Sequence, residues 1–206
     1  MSDKHQNTKG KGHDSHGNGH GYGHDDCDVP CFAEGTLLRM QDGSWKAVEH
    51  IQVGDTLHTH LGSSASVLWA GSSIEKESMF MVHTTNHGAA ITVTGNHGIV
   101  VRLMDGRRVL APAKFLTESL YGEFLVTEVP GEMTVHHIML ENHNLVESYG
   151  GIISESYYCG GYKTVPAAME AYYAATGHRT MALTLPRLRR RDAAEISEII
   201  MEGEYA

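Results

Sequence analysis

The chain has 206 residues, 41% of them hydrophobic, and a formal net charge of −9. That supports one ordinary core, and the acidic balance argues against nucleic acid or an anionic membrane as the main partner. No apolar run approaches the ~18 residues a membrane-spanning helix needs, so no transmembrane segment is expected. Met1–Ala33 has no apolar stretch like that of a secretory signal, which leaves the cytoplasm as the default compartment. The three cysteines, an odd number, do not make a disulfide framework. Metal ligands, a reactive thiol or buried thiols remain.

In chain order, the first segment is Gly, His, Asp, Asn and Lys, with no aliphatic residue between Ser2 and Cys27. Such a segment buries too little surface to offset its ordering entropy, so residues 1–30 are expected to form a disordered tail. From Cys31 to Tyr158 the runs TLLRM, SVLWA, MFMVHT, AAITVT, GIVVRL, EFLVTEV and TVHHIML are short and apolar. Turn residues separate them, which predicts an all-β domain over 31–158. Asp42-Gly43 and Asp105-Gly106 each sit between two such runs, where a type I′ hairpin turn is expected. Residues 159–206 are predicted to be a helical extension. VPAAMEAYYAATG has Pro166 at a helix start and Gly177 at its stop, and LPRLRRRDAAEISEIIMEG reads as a second helix broken near Asp192. Arg187, Arg189, Arg190 and Arg191 are expected on a solvated face of it. Cys159 reads as structural or incidental.

An internal repeat crosses the β region. A shift of 63 residues pairs GTLLRMQDG, Gly35 to Gly43, with GIVVRLMDG, Gly98 to Gly106, and Gly, Arg, Asp and Gly coincide without a gap. Fixed-period self-similarity of this kind is the mark of duplicated architecture. The same shift carries Cys31 onto Thr94, and His97 follows three residues later. The repeat therefore predicts that Cys31 meets a Thr-x-x-His near one pseudo-two-fold axis.

That grouping permits a specific reaction. A thiol can attack the carbonyl of its own preceding peptide bond and move the acyl chain from nitrogen to sulfur. The product is a thioester, which an external nucleophile opens far more readily than an amide. The thiol must lose its proton, and the departing amine must gain one, a task suited to histidine. Cys31, Thr94 and His97 supply a nucleophile, a positioning hydroxyl and a proton donor. No cofactor is required.

CFAEGTLLRMQDGSWKAVEHIQVGDTL resembles the opening of a Hint domain, the module shared by hedgehog autoprocessing domains and inteins. TVTGNHGIVV is similar to the family's second block, whose Thr-x-x-His maps onto Thr94 and His97. ENHNLVESYGGIISESY is similar to the closing block, with His143 at the histidine of the intein version. The resemblance covers Cys31 to Tyr158 in order and spacing. It implies an all-β, pseudo-two-fold disk and cleavage before the cysteine, at Pro30–Cys31, with catalytic Cys31, Thr94, His97 and His143. The substrate is then the chain's own N-terminal segment, and the accepting nucleophile is unidentified.

Three departures narrow this. Inteins cyclise a terminal asparagine, usually after a histidine; here the corresponding pair is Ser154-Glu155. Hedgehog proteins carry a cholesterol-activating aspartate in the region that corresponds here to LWAGSS, where Gly71, Ser72 and Ser73 stand, with Glu75 and Glu77 the nearest acids. Pro30 occupies a position where the family often has glycine, and its ring stiffens the approach to its own carbonyl. A rival reading is a non-reactive Hint-fold binding module whose tail binds metal through Cys27, Cys31 and His5, His13, His16, His20 and His24. A Cys27–Cys31 disulfide would cap the nucleophile, against the simpler state of a mobile Cys27 thiol. With neither Ser154 nor Glu155 able to form a succinimide, a fusion carrying partners at both ends should yield no joined partner–partner product, as read by mass spectrometry.

Overall fold

The computed structural model describes residues 29–60, 63–84, 88–117, 120–121, 124–158 and 165–202. The tail with Cys27 and its histidines, and Cys159, lie outside these residues. Val29 and Pro30, assigned by sequence to the tail, belong to the folded body, and Pro30 is buried.

Fifteen strands dominate the described residues. The first nine are β1 (Phe32–Ala33), β2 (Leu37–Arg39), β3 (Trp45–Ala47), β4 (Thr56–Thr59), β5 (Ser63–Glu75), β6 (Met79–Thr84), β7 (Ala90–Thr94), β8 (Gly98–Leu103) and β9 (Arg108–Pro112). The rest are β10 (Leu120–Tyr121), β11 (Phe124–Val129), β12 (Met133–Leu140), β13 (Leu145–Glu147), β14 (Ile153–Glu155) and β15 (Ile196–Ile199). Thirteen form one curled sheet in the order β10-β11-β6-β7-β1-β12-β5-β4-β13-β14-β8-β15, with β9 also on β8, while β2 and β3 form a separate hairpin. Every named pairing is antiparallel, as short strands joined by tight turns require. The main core lies inside the curl and includes Phe32, Leu38, Leu57, Val93, Ile99, Val101, Ile138 and Leu140.

The 63-residue repeat is structural. In the β2–β3 hairpin Leu37 faces Ala47 and Leu38 faces Lys46; in β8–β9 Val100 faces Leu110 and Val101 faces Val109. Each pair maps onto the other under the same shift. The turns match too, although they are not the two-residue type expected from Asp-Gly. The Gly43 N–H donates to Met40 O at 3.0 Å and the Gly106 N–H to Leu103 O at 2.8 Å. Glycine is thus the last of three loop residues rather than the second of two, and both glycines have φ of +84°, the left-handed conformation that a three-residue hairpin with a bulge demands. Asp42 and Asp105 accept from the backbone N–H two residues on, at 2.9 and 3.0 Å.

Helix α1, Pro166–Thr176, starts at its proline and ends at Gly177 in the left-handed conformation. Its Ala168 and Tyr172 close a satellite core with Met139, Tyr157 and Met181, against which Val29 also packs. The second predicted helix is not one. Residues Arg190–Glu195 make a 3₁₀ segment, and the chain then runs as β15 along β8. Ile196, Ile199 and Ile200 sit at i, i+3 and i+4, which satisfies a helical stripe. A register shift between Ile196 and Glu198 re-phases the strand so that Ile196 and Ile199 both turn inward. The open edge of β8 and three β-branched side chains decide the outcome. Arg189, Arg190 and Arg191 are exposed as expected; Arg187 is not on a solvated face, because it reaches the buried Glu155 carboxylate. No helix among the described residues is long and apolar enough to cross a membrane.

If β15 is part of the core, Ile199→Ala should destabilise the protein by about 2–5 kcal/mol. A denaturant titration checks this, and a change near zero would return the segment to the surface.

Candidate active site

The site follows from one strand and its two neighbours. Phe32 of β1 lies opposite His136 of β12 on one side and Val93 of β7 on the other. One residue earlier, antiparallel register sets Cys31 opposite His137 and Thr94. On β5, Ser73 pairs with Val135, which makes it the diagonal neighbour of His137. Four adjacent strands therefore present Thr94, Cys31, His137 and Ser73 in a row.

Cys31 is fully buried. Its Sγ lies 3.0 Å from His137 Nδ1 and 3.0 Å from Val29 O. The Cys31 N–H donates to Thr94 Oγ1 at 3.2 Å, and that hydroxyl donates onward to Val29 O at 3.0 Å. Thr94 thus holds the nitrogen of the Pro30–Cys31 bond. His97, at the end of a turn closed by its N–H on Thr94 O, directs Nδ1 to Cys31 O at 3.1 Å. Its contact is with the carbonyl of the cysteine rather than with the amide nitrogen. The ring packs edge-on against Phe32, 4.4 Å between centroids, and its Nε2 is buried with no hydrogen-bond partner among the described residues.

His137 is the candidate site residue that sequence reasoning missed. Its Nε2 lies 3.1 Å from Ser73 Oγ, Trp69 stacks on it at 6.0 Å and Tyr157 meets it edge-on at 5.9 Å. The available signal was His136-His137 in the TVHHIML strand, where alternation turns one of the pair inward; the register of β1 selects His137.

His143 does not touch Cys31. Its Nδ1 accepts the Thr184 N–H at 3.0 Å, so its Nε2 carries the proton that it donates to Glu155 Oε2, also at 3.0 Å. Glu155 Oε1 accepts the Gly98 N–H at 2.6 Å and an Arg187 guanidinium N–H. Gly98 must lack a side chain here, because a Cβ would stand 2.9 Å from that carboxylate oxygen and 3.0 Å from Leu110 Cβ. Cys31, Thr94 and His97 are thus brought together as expected, and His143 belongs to an adjoining buried network.

Burial governs the electrostatics. It pushes both His97 and His137 down to about 4, so each ring is unprotonated at neutral pH. Burial opposes ionisation of Glu155, yet the His143 hydrogen bond and the Arg187 charge hold it below the usual carboxylate range. Away from the cysteine, His58, Glu147 and Glu202 gather ligand atoms within 4.8 Å of one another. Arg39 donates to both carboxylates and already stands where a cation would. Burial, with help from Glu202, pushes Glu147 up to about 7.

A cavity of about 560 Å³ opens beside the Thr94–His97 turn, lined by Thr94, Gly95, Asn96, Phe80, Lys114 and Glu75 among others. Glu75 accepts from the Lys76 and Glu77 N–H groups, capping its own loop.

Residues 30–161 match the model of a protein family described as the Hint domain. Among solved structures, the chain is similar to a bacterial intein-like domain from Clostridium thermocellum, 15% identical, with a TM-score of 0.47 over 61% of this chain and 98% of that one. It is likewise similar to a DnaB intein from Synechocystis, 14% identical, with a TM-score of 0.47 over 62% of this chain and 98% of that one. No curated protein matches in sequence.

The buried histidines make the stability of the protein acid-sensitive. Both rings have folded pKa values depressed to about 4 from an ordinary 6.5, so between those values the unfolded chain binds more protons. Stability is present above pH 6.5 and is lost as pH falls through about 4, by at most on the order of 3 kcal/mol per ring. Glu147, raised from 4.5 to about 7, works in the opposite sense, losing stability as pH rises through that range. In a Cys31→Ala background the denaturant midpoint should climb from pH 4.5 to 6.5, and His97→Gln should flatten that climb.

Proposed function

The chain belongs to the Hint domain family, and from that premise we propose that it cleaves its own Pro30–Cys31 bond through a thioester, without splicing. The observation that carries this is the 3.0 Å approach of Cys31 Sγ to His137 Nδ1, while the amide of the same cysteine is held by Thr94. A buried thiol ordinarily resists ionisation, and an unprotonated imidazole in contact removes that obstacle.

The steps balance within the site. Cys31 Sγ passes its proton to His137 Nδ1 and attacks the Pro30 carbonyl carbon. Ser73 holds the far side of the ring, as the orienting member of a nucleophile–base–orienter set. The Sγ–C bond forms, the C–N bond breaks, and the proton carried by His137 goes to the departing Cys31 nitrogen. His97 near neutral pH has no spare proton for the leaving nitrogen; its one N–H, on Nδ1, donates to the Cys31 carbonyl oxygen. With Thr94 on the nitrogen and His97 on the carbonyl, the Cys31 residue is clamped at both ends while its preceding peptide bond reacts. The acceptor, water or a small thiol, reaches the thioester from the cavity beside Thr94. Residues 1–30 leave, and Cys31 becomes a new N-terminus with its thiol restored. His143 acts at one remove, by orienting Glu155.

Incubation with dithiothreitol, followed by intact-mass measurement, should show a fragment ending at Pro30. Cys31→Ala should abolish it, and Cys31→Ser should leave at most a trace. His137→Ala should slow thioester formation by about 10²–10⁴-fold. Because the base works unprotonated with a pKa of about 4, the rate of thioester formation should hold above roughly pH 6 and drop as pH falls through 4. Wild-type chain that stays folded and intact for days under thiol would leave the non-reactive binding module standing instead.

A further inference from the structure

We infer that Arg187 is a positioning residue for the reaction at Cys31, bridging the Asn96 carbonyl and the Glu155 carboxylate so that the Thr94–His97 turn is held against the cysteine. This rests on the self-cleavage reading above and adds a part that lies outside residues 30–161, the span of the family match.

The turn touches Cys31 at its two ends, through Thr94 Oγ1 on the nitrogen and His97 Nδ1 on the carbonyl oxygen. Its other side is anchored at two points. Arg187 Nη1 donates to Asn96 O at 3.0 Å, and the Gly98 N–H donates to Glu155 Oε1 at 2.6 Å. Both anchors converge, because Arg187 Nη2 donates to that same Glu155 oxygen. His143 Nε2–H fills the second carboxylate oxygen at 3.0 Å, so the carboxylate cannot swing away. Arg187 is itself fixed by backbone. The Leu110 N–H donates to Pro186 O at 2.9 Å and the Leu188 N–H to Leu110 O at 2.8 Å, which lays residues 186–188 alongside β9. The last turn residues before β8 are therefore clamped between a cysteine and an ion pair.

The chemistry requires arginine. One planar guanidinium presents two parallel N–H donors to two acceptors, whereas a lysine ammonium on a flexible stem supplies the charge without the fork. A role limited to neutralising Glu155 is met by either residue; the bridging role is met by arginine alone.

The discriminating variant is Arg187→Lys in the full chain, with cleavage followed by intact mass and folding by thermal unfolding. A folded protein that cleaves about 10²-fold more slowly supports the assignment, since small misplacements of a positioned group cost about that much. A folded Arg187→Lys protein that cleaves within twofold of wild type overturns it. Should that variant fail to fold, Arg187→Gln provides the second test, because its single amide donor group is too short to span Asn96 O and Glu155 Oε1 together. The same slowing is expected there, and a wild-type rate overturns the inference. A readout without catalysis separates this from the reading it rests on. In Cys31→Ala protein, the His97 Nδ1–H resonance should be protected from solvent exchange and lose that protection in the Arg187→Lys background. Unchanged protection refutes the positioning role even if the wild-type chain cleaves. Lost protection with an uncleaved wild type sustains the positioning role and refutes self-cleavage.

Discussion

The structure depends most on the pairing of one very short strand. β1 holds only Phe32 and Ala33, yet it is flanked by β12 and β7, with Phe32 in register with both His136 and Val93. A slip of one residue would turn every side chain of the strand to the other face. Phe32 would leave the core and Cys31 would lose His137 and Thr94 together. Burial of Phe32 beside Val93 and Ile138 is therefore what specifies the site, because the same register that hides the ring delivers the thiol to its partners.

A second constraint is the Glu155 carboxylate, which is completely buried. An unpaired carboxylate there would be strongly destabilising, and partial pairing would leave much of that cost in place. His143, the Gly98 amide and Arg187 complete its coordination. The last of these arrives from beyond the β domain, as do β15 on the edge of β8 and helix α1 over Val29. The C-terminal segment is thus not an appendage to a finished domain. It covers an open sheet edge, balances an interior charge and walls the residue that precedes Pro30.

Dryness sets the protonation states. In contact with water, His97 and His137 would titrate near neutrality. Inside the sheet both rings stay unprotonated throughout the physiological range.

Much of this was legible in the amino-acid order, because it rests on local pattern. The strand runs, the duplicated nine-residue segments, the start of α1 at Pro166 and its stop at Gly177 all express propensities and turn chemistry that act over a few residues. The grouping of Cys31 with Thr94 and His97 was legible too, through the 63-residue offset. What stayed hidden depends on pairing across long separations. His136 and His137 are equivalent in a strand pattern, and only the partner strand decides which one meets a thiol 106 residues away. Ile196, Ile199 and Ile200 satisfy a helical stripe as well as a bulged strand, and the unfilled edge of β8 decides between them. Arg187 is one of four arginines in LPRLRRR until the buried charge of Glu155 singles it out. Local sequence determined the elements and the chemical groups they carry; tertiary structure decided which groups share a dry interior, because register and charge balance are settled only when distant strands meet.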